Sequence, residues 1–140
     1  NEFILQVSPH EVVGYRHRLG LDDVALFTNI QTKHYVTLPI NKRLETSARQ
    51  AVAQGADVLV VTGERTGKKT PKEKLMRVKG VSGGVPVFIG SGFVMEDADE
   101  LLPYADGVIV GTALKYKGVT ESPVEPERVK KMMDAVWKFR

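Results

Sequence analysis

Residues 85–89 (VPVFI) run directly into Gly90-Ser91-Gly92, and residues 107–110 (GVIV) run directly into Gly111-Thr112. Each stretch begins as a short apolar run, which is typical of a strand covered on both faces, as in a parallel sheet. Each then changes to glycine and a hydroxyl side chain, which favours a tight turn out of the strand. The sequence therefore predicts two consecutive strands that are followed by loops of the same kind.

Three further apolar runs precede these two. Residues 57–62 (DVLVVT) are similar, residues 24–30 (VALFTNI) are less purely apolar, and residues 3–7 (FILQV) are a candidate fifth strand. The predicted strands that start at residues 24, 57, 85 and 107 define successive units of 33, 28 and 22 residues. This spacing is typical of repeated strand and helix units.

Helical patterns with start and stop residues lie between these strands. Ser8, Pro9 and Glu11 have the spacing of an N-cap, a first-turn proline and a capping-box acid. Because right-handed crossovers make the strands parallel, every loop from a strand to a helix should lie at one edge of the sheet. The predicted helices cover residues 9–18, 44–54, 72–81, 95–102 and 126–140.

The composition excludes several classes of protein. The chain has 140 residues, of which 42% are hydrophobic, and its 20 Lys and Arg residues exceed its 17 Asp and Glu residues by three. This apolar content excludes a disordered segment, and no apolar run approaches the ~20 residues of a membrane-spanning helix. The absence of cysteine excludes disulfide bonds and is expected of a cytoplasmic protein.

The two glycine loops together predict a phosphate site. Glycine lets backbone N–H groups approach an anion closely, and a hydroxyl group adds a further donor. Barrel enzymes bind phosphate in this way after their last two strands. The alternative is that the glycines serve only the tight turns. The predicted phosphate ligands are Gly90, Ser91, Gly92, Gly111 and Thr112.

Two other loops contribute candidate residues. After the strand at residues 57–62, the segment that reaches Lys69 lacks the Walker spacing, and its lysines are predicted to lie on the surface. After the strand at residues 24–30, Lys33 is a candidate electrophile, Schiff-base amine or simple anion partner, and His34 is a candidate general base or structural donor. The predicted ligand contacts in the first of these loops are Thr62, Gly63, Thr66 and Gly67.

Other kinds of site are not expected. The three histidines are scattered without metal-ligand spacing, so we expect neither a metal ion nor a cofactor. Ser91 lacks the Gly-x-Ser-x-Gly pattern of a serine nucleophile. No RNP aromatic residues, helix-turn-helix or zinc-finger motif supports binding of nucleic acid.

Taken in order, these loops resemble a known family. Over residues 11–133 the chain is similar to the C-terminal part of the BtpA/SgcQ family, whose members resemble ribulose-phosphate-binding (βα)8 barrels. The family is named for a role in photosystem I biogenesis, although members also occur in non-photosynthetic organisms. The similar pieces are Tyr15-Arg16-His17-Arg18-Leu19-Gly20, Lys33-His34 with Leu38-Pro39, Val61-Thr62-Gly63 with Thr66-Gly67, Ile89-Gly90-Ser91-Gly92, and Ala105-Asp106-Gly107-Val108-Ile109-Val110-Gly111-Thr112-Ala113-Leu114-Lys115.

The resemblance implies a phosphorylated small molecule, or phosphate or sulfate itself, at the two glycine loops. It also implies that Lys115 lies near the reacting end of that ligand, together with Lys33, His34 and Thr62. It implies no particular reaction. This chain has Asn29 where the family pattern has an acid, which removes a possible base from that loop.

The expected fold class is α/β, with parallel βα units in a single domain over residues 1–140. A complete (βα)8 barrel needs about 250 residues, so this chain supplies only four or five units of a TIM barrel. The alternative is an open, flavodoxin-like sheet. A partial barrel has two free edges and an uncovered inner face. We therefore expect a homo-oligomer, or pairing with a missing N-terminal half.

Three functions compete at this point. The first is a BtpA-like barrel protein that binds a phosphorylated small molecule, with or without catalysis. The second is a non-catalytic assembly factor that acts through protein contacts, using the inner face or the last helix. The third is a receiver-like signalling module, which needs an acid at the end of a central strand. The residues after the predicted strands are instead Asn29, Thr62, Gly90 and Gly111, which disfavours the third function.

Overall fold

Four short parallel strands form one sheet, in a computed structural model that describes residues 8–32, 39–63 and 69–139. The strands are β1 (Phe27–Asn29), β2 (Val58–Val61), β3 (Val87–Ile89) and β4 (Gly107–Val108). They lie side by side in the order β1-β2-β3-β4, and each pairs in parallel with the next. This arrangement confirms the predicted parallel βα units.

The strand order decides between the two predicted architectures. A flavodoxin-like sheet reverses its order at an internal switch point, whereas successive strands of a barrel remain neighbours. The described strands are neighbours in sequence order throughout, which agrees with a partial α/β barrel. The candidate strand at residues 3–7 lies outside the described residues.

Among the described residues, five α-helices alternate with the strands. Their bounds agree closely with the sequence pattern except near residue 100, where the predicted single helix is split. There, 3₁₀ turns at Met95–Asp97 and Leu102–Tyr104 flank a short α-helix. Pro103 is the second residue of the second turn and does not end the helical segment, because the first positions of a helix do not need the N–H that proline lacks. The α-helices are α1 (Pro9–Arg18), α2 (Leu44–Ala53), α3 (Lys72–Lys79), α4 (Ala98–Leu101) and α5 (Pro126–Trp137).

The beginning of α1 corrects one prediction. Ser8 does occupy the N-cap position and Pro9 the first turn, as the spacing indicates. The Ser8 side chain, however, makes no capping hydrogen bond, so the predicted capping box is wrong. The preorganised φ angle of the proline starts the helix without that bond.

The main core lies between one face of the sheet and the helices. Leu59, Val61, Val87 and Ile89 alternate along the two central strands and are fully buried. They belong to one apolar cluster with residues of α2, α3 and α4, among them Leu75. Burial of such aliphatic side chains stabilises the fold by about 1.5–3 kcal/mol each.

The opposite face of the sheet is less completely covered. Val60 pairs with Phe88 on this face, and Phe27 pairs with Val58, which lies two residues before Val60 on the same face of β2. The rings of Phe27 and Phe88 meet edge to face with centroids 5.4 Å apart. Phe27 is nevertheless 48% exposed and Ile109 47% exposed. Since α2 and α3 pack on the other side, this face corresponds to the interior of a closed barrel.

Two aspartates form hydrogen bonds and ion pairs at the edge of the sheet where the strands begin. Asp57 accepts hydrogen bonds from the Leu26 N–H and from Arg16 Nη1, both at 2.7 Å. The Leu26 N–H and the Arg16 guanidinium together lower the pKa of the Asp57 carboxyl group. Asp106 accepts in the same way from the Val87 N–H and from Lys79. Structural ion pairs thus occupy this edge, and the glycine loops occupy the other.

Candidate functional site

A cleft of about 750 Å³ opens at the edge where the strands end. One wall is the loop after β3, from Gly90 to Glu96, and a second is the loop after β4, from Ile109 to Ala113. The beginning of α5 forms the third wall. The two glycine loops that the sequence analysis combined thus line one cleft, as expected for neighbouring parallel strands.

Both loops present backbone N–H groups without partners. The N–H groups of residues 91–94 and of residues 110–113 donate no hydrogen bond to any described residue. All eight of these residues line the cleft. Gly111 and Thr112 are exposed and Ser91 and Gly92 are half-buried, so an acceptor from outside the chain can reach these loops. Successive backbone N–H groups in such loops are suited to bind an anion.

Gly92 and Ser91 have distinct roles in the first loop. Gly92 has φ of 72°, a left-handed conformation that glycine adopts without the cost that a Cβ atom brings. The Ser91 hydroxyl oxygen is buried and has no hydrogen-bond partner among the described residues. An unpaired buried hydroxyl costs about 1–3 kcal/mol, so Ser91 would gain from a bound acceptor within reach of its side chain.

Gly90 differs from its neighbours in this loop. Its N–H donates to the Val61 carbonyl at 2.8 Å and so continues the sheet. A Cβ atom at Gly90 would lie 2.4 Å from Val60 Cγ1 and 3.0 Å from Thr62 Cγ2. The geometry thus gives Gly90 a packing role, and its predicted contact with phosphate stays a prediction.

Helix α5 brings charged side chains that sequence reasoning missed. Arg128 and Lys131 line the cleft, and Arg128 donates from Nε to Glu125 at 2.7 Å and from Nη1 to the Ala113 carbonyl at 3.3 Å. The bond to the Ala113 carbonyl joins α5 to the loop after β4. Within the described part of the chain, no carboxylate lies within ion-pair distance of Lys131. In the sequence, these two cations could have been found as site candidates because they are three residues apart on a predicted amphipathic helix and so share one face of it.

The charges around the cleft nearly cancel. Glu96, Glu125 and Glu127 line it together with Arg128 and Lys131. Three carboxylates against two cations give these side chains a net charge of −1, and Arg128 is already paired with Glu125. An anion in this cleft would therefore be held mainly by backbone N–H groups.

Thr62 and Gly63 follow β2 and are buried beside the cleft, although neither lines it. The Thr62 carbonyl accepts a hydrogen bond from Lys74 Nζ at 3.0 Å. Thr62 also packs against Gly90, as its close approach there shows. The structure thus brings Thr62 next to the glycine loop, and its predicted contact with a ligand is untested.

Of the two predicted site residues after β4, Thr112 lies in the wall of the cleft and Lys115 lies outside it. Thr112 lines the cleft, and its hydroxyl shares a hydrogen bond with the Thr120 hydroxyl at 3.1 Å. Lys115 does not line the cleft, and its Nζ donates to the Thr120 carbonyl. In this structure the Lys115 ammonium group fastens the segment before α5.

Several predicted site residues lie outside the described residues, namely Lys33, His34, Thr66 and Gly67. Asn29, just before them, is exposed at the end of β1. Gln31 has φ of 53°, and its side-chain amide donates to the Lys42 carbonyl at 2.9 Å and to Ser47 Oγ at 3.1 Å. Gln31 therefore anchors this loop to the start of α2.

Lys69, in the loop between β2 and α3, forms ion pairs with two carboxylates. Its Nζ lies 2.7 Å from Asp97 Oδ1 and 2.5 Å from Glu100 Oε2. Hydrogen bonds to Asp97 and then to Glu100 raise the pKa of the Lys69 ammonium group. Lys69 thus stays charged and ties this loop to the segment that follows β3.

Neither a metal centre nor a membrane helix is found in the described residues. Among residues 8–32, 39–63 and 69–139, no three His, Asp or Glu side chains are grouped as a metal site. Within the same ranges, every helix is too short or too polar to cross a bilayer.

Parallel strands in sequence order, with glycine loops at the edge where they end, define the class of α/β barrel proteins. The sequence itself matches the model of the BtpA family over residues 1–138. The chain belongs to the BtpA family.

Relatives of known sequence agree with this assignment. The chain is 31% identical over 134 residues to the photosystem I biogenesis protein BtpA of Synechocystis, which covers 95% of this chain and 46% of that protein. It is 35% identical over 138 residues to an uncharacterised protein of Thermococcus kodakarensis, covering 98% of this chain and 51% of that protein. The chain therefore spans about half the length of these relatives.

Solved structures resemble the fold at low sequence identity. Phosphoribosyl anthranilate isomerase from Thermus thermophilus matches with a TM-score of 0.55 at 14% identity, covering 96% of this chain and 70% of that one. An archaeal fructose 1,6-bisphosphate aldolase matches with a TM-score of 0.53 at 15% identity, covering 93% of this chain and 52% of that one. These similarities support the barrel-type fold.

Proposed function

We propose that this protein binds a phosphorylated small molecule in the cleft at the ends of β3 and β4. The observation that carries the proposal is the two runs of unpaired N–H groups, at residues 91–94 and 110–113, around one cleft. A phosphate group has enough acceptor oxygens to satisfy donors from both loops at once. Ser91 and Thr112 add hydroxyl groups on the same walls.

The reacting part of the ligand is proposed to extend toward β1 and β2. In a parallel sheet the ends of all strands lie along one edge, so Thr62, Lys33 and His34 follow strands that end on the same side as the cleft. Lys33 would act as an electrophile or amine nucleophile, and His34 as a general base. We propose no particular reaction, because the geometry of the cleft supports ligand binding alone.

The proposed location of the protein is the cytoplasm. The lack of cysteine is compatible with this reducing compartment.

Titration with inorganic phosphate, followed by amide chemical shifts, tests the proposal. We expect saturable shifts of the resonances of residues 91–94 and 110–113, and none at Thr46 on the exposed surface of α2. Chloride at matched ionic strength serves as the control. Shifts that are absent, or that occur elsewhere on the molecule, would refute the proposed site. Crystals soaked in sulfate provide the same comparison by diffraction.

The exposed face of the sheet favours a second candidate, which is action through protein contacts. Phe27 lies in β1 and Ile109 directly after β4, the two outer strands of the sheet in the described residues, and about half of each residue is exposed. A closed barrel covers such a face with its remaining units. We propose that a second copy of this chain covers it, and that the same face serves an assembly role.

Light scattering tests this second proposal. We expect a mass of at least twice 15.5 kDa, and a shift toward 15.5 kDa when Phe27 is replaced by Asp. Val12→Asp on α1, at a residue of similar exposure (46%), is the matched control and should leave the mass unchanged. A wild-type chain that remains monomeric at high concentration would contradict self-association.

A further inference from the structure

Thr70 connects the loop after β2 to the first glycine loop. Its side chain is fully buried, and Thr70 Oγ1 donates a hydrogen bond to the Ser91 carbonyl at 3.2 Å. The preceding residue, Lys69, is ion-paired with Asp97 and Glu100. Two adjacent residues therefore hold the segment after β3.

The hydrogen bond to the Ser91 carbonyl has a consequence for Gly92. A peptide group is planar and trans, so the Ser91 C=O and the Gly92 N–H point in opposite directions. Fixing the carbonyl on Thr70 therefore fixes the direction of the Gly92 N–H. This N–H has no acceptor among the described residues, and Gly92 lines the cleft.

Glycine makes this restraint necessary. Gly92 has φ of 72°, and glycine populates positive and negative φ about equally. The Ser91–Gly92 peptide is therefore free to rotate unless another group holds it. After such a rotation the carbonyl oxygen, with its partial negative charge, would replace the N–H at the anion.

We propose that Thr70 is a positioning residue, which holds the Ser91–Gly92 peptide with its N–H directed at a bound phosphate group. This inference rests on the proposed phosphate site. Thr70 does not line the cleft, so it acts through the peptide and not by touching the ligand. A merely structural Thr70 would affect stability and leave the Gly92 amide as it is.

Three variants separate these roles. Thr70→Val removes the donor and keeps the shape, Thr70→Ser keeps the donor, and Thr46→Val on the exposed surface of α2 is the matched control. In Thr70→Val we expect the Kd for inorganic phosphate to rise about three- to tenfold, which corresponds to one hydrogen bond. Thr70→Ser and Thr46→Val should bind like the wild type.

The amide resonance of Gly92 is the second readout. Without phosphate, its shift should change in Thr70→Val and stay near the wild-type value in Thr70→Ser. Wild-type affinity together with an unchanged Gly92 resonance in Thr70→Val would overturn the role of Thr70. If Thr70→Val does not fold, Thr70→Ala removes the same hydroxyl and takes its place in the comparison. A wild-type protein that binds no phosphate would instead refute the proposed function, whereas the Gly92 resonance would still report on the peptide.

Discussion

Replacement of Gly111 by aspartate is expected to raise the Kd for inorganic phosphate at pH 7 by about 100-fold or more. Gly111 lines the cleft within the second run of unpaired N–H groups. A Cβ atom there would meet no atom within 4 Å, so the cleft has space for the new side chain. The added carboxylate would then lie next to the anion, and like charges brought together in this way cost several kcal/mol.

Two matched variants show whether charge is the cause. Gly111→Asn has nearly the same shape without the charge, and Gly111→Ala adds only the Cβ atom. Isothermal titration calorimetry with inorganic phosphate should give at most a few-fold weakening for both, and all three variants should have a similar Tm. A Gly111→Asp protein that binds phosphate like the wild type would exclude this loop from the site.

The second large effect is expected on stability, at Gly90. Gly90→Ala should lower the free energy of unfolding by about 1–3 kcal/mol, which is the usual cost of overpacking. The new methyl group would come within 2.4 Å of Val60 Cγ1, so the central strands would have to shift. Urea denaturation measures the loss.

A second substitution removes the clash and tests its cause. Val60→Ala deletes Cγ1, so the double variant Val60→Ala, Gly90→Ala should be more stable than the sum of the two single changes indicates. Gly90→Ala protein that is folded should still bind phosphate, because the Gly90 N–H is already used within the sheet. If the two changes in the free energy of unfolding simply add, contact with Val60 is not the reason that Gly90→Ala is destabilising.

Much of the fold follows from local sequence patterns. The apolar runs around Val60 and Phe88 predict strands because side chains buried on both faces must be apolar along their whole length. The resemblance to the BtpA family was confirmed by the family match over residues 1–138. The strands themselves are shorter than predicted. The β3 strand begins two residues later than its apolar run, and β4 ends two residues earlier because Ile109 and Val110 belong to the loop that lines the cleft.

The site was less predictable, because its third wall comes from far along the chain. Gly90 to Gly92 and Gly111 stand next to strands, so chain order alone brings them to one edge. Arg128 and Lys131 reach the same cleft only through the packing of α5, which no local pattern specifies. Gly90 shows that a glycine in a ligand-type motif also has a packing role, because Val60 of the neighbouring strand leaves no room for a Cβ atom.

The hydrogen bond from Arg128 to the Ala113 carbonyl attaches the last helix to the loop after β4, so that the helix forms one wall of the cleft. The opposing surface consists of main-chain donors, which most side-chain replacements leave unchanged. In the proposed site, substitutions along α5 would change the side chains on this wall and leave the main-chain donors of the two glycine loops in place. Exchange of this helix between homologues would therefore alter the proposed selectivity for the organic part of the ligand without removing the proposed phosphate donors.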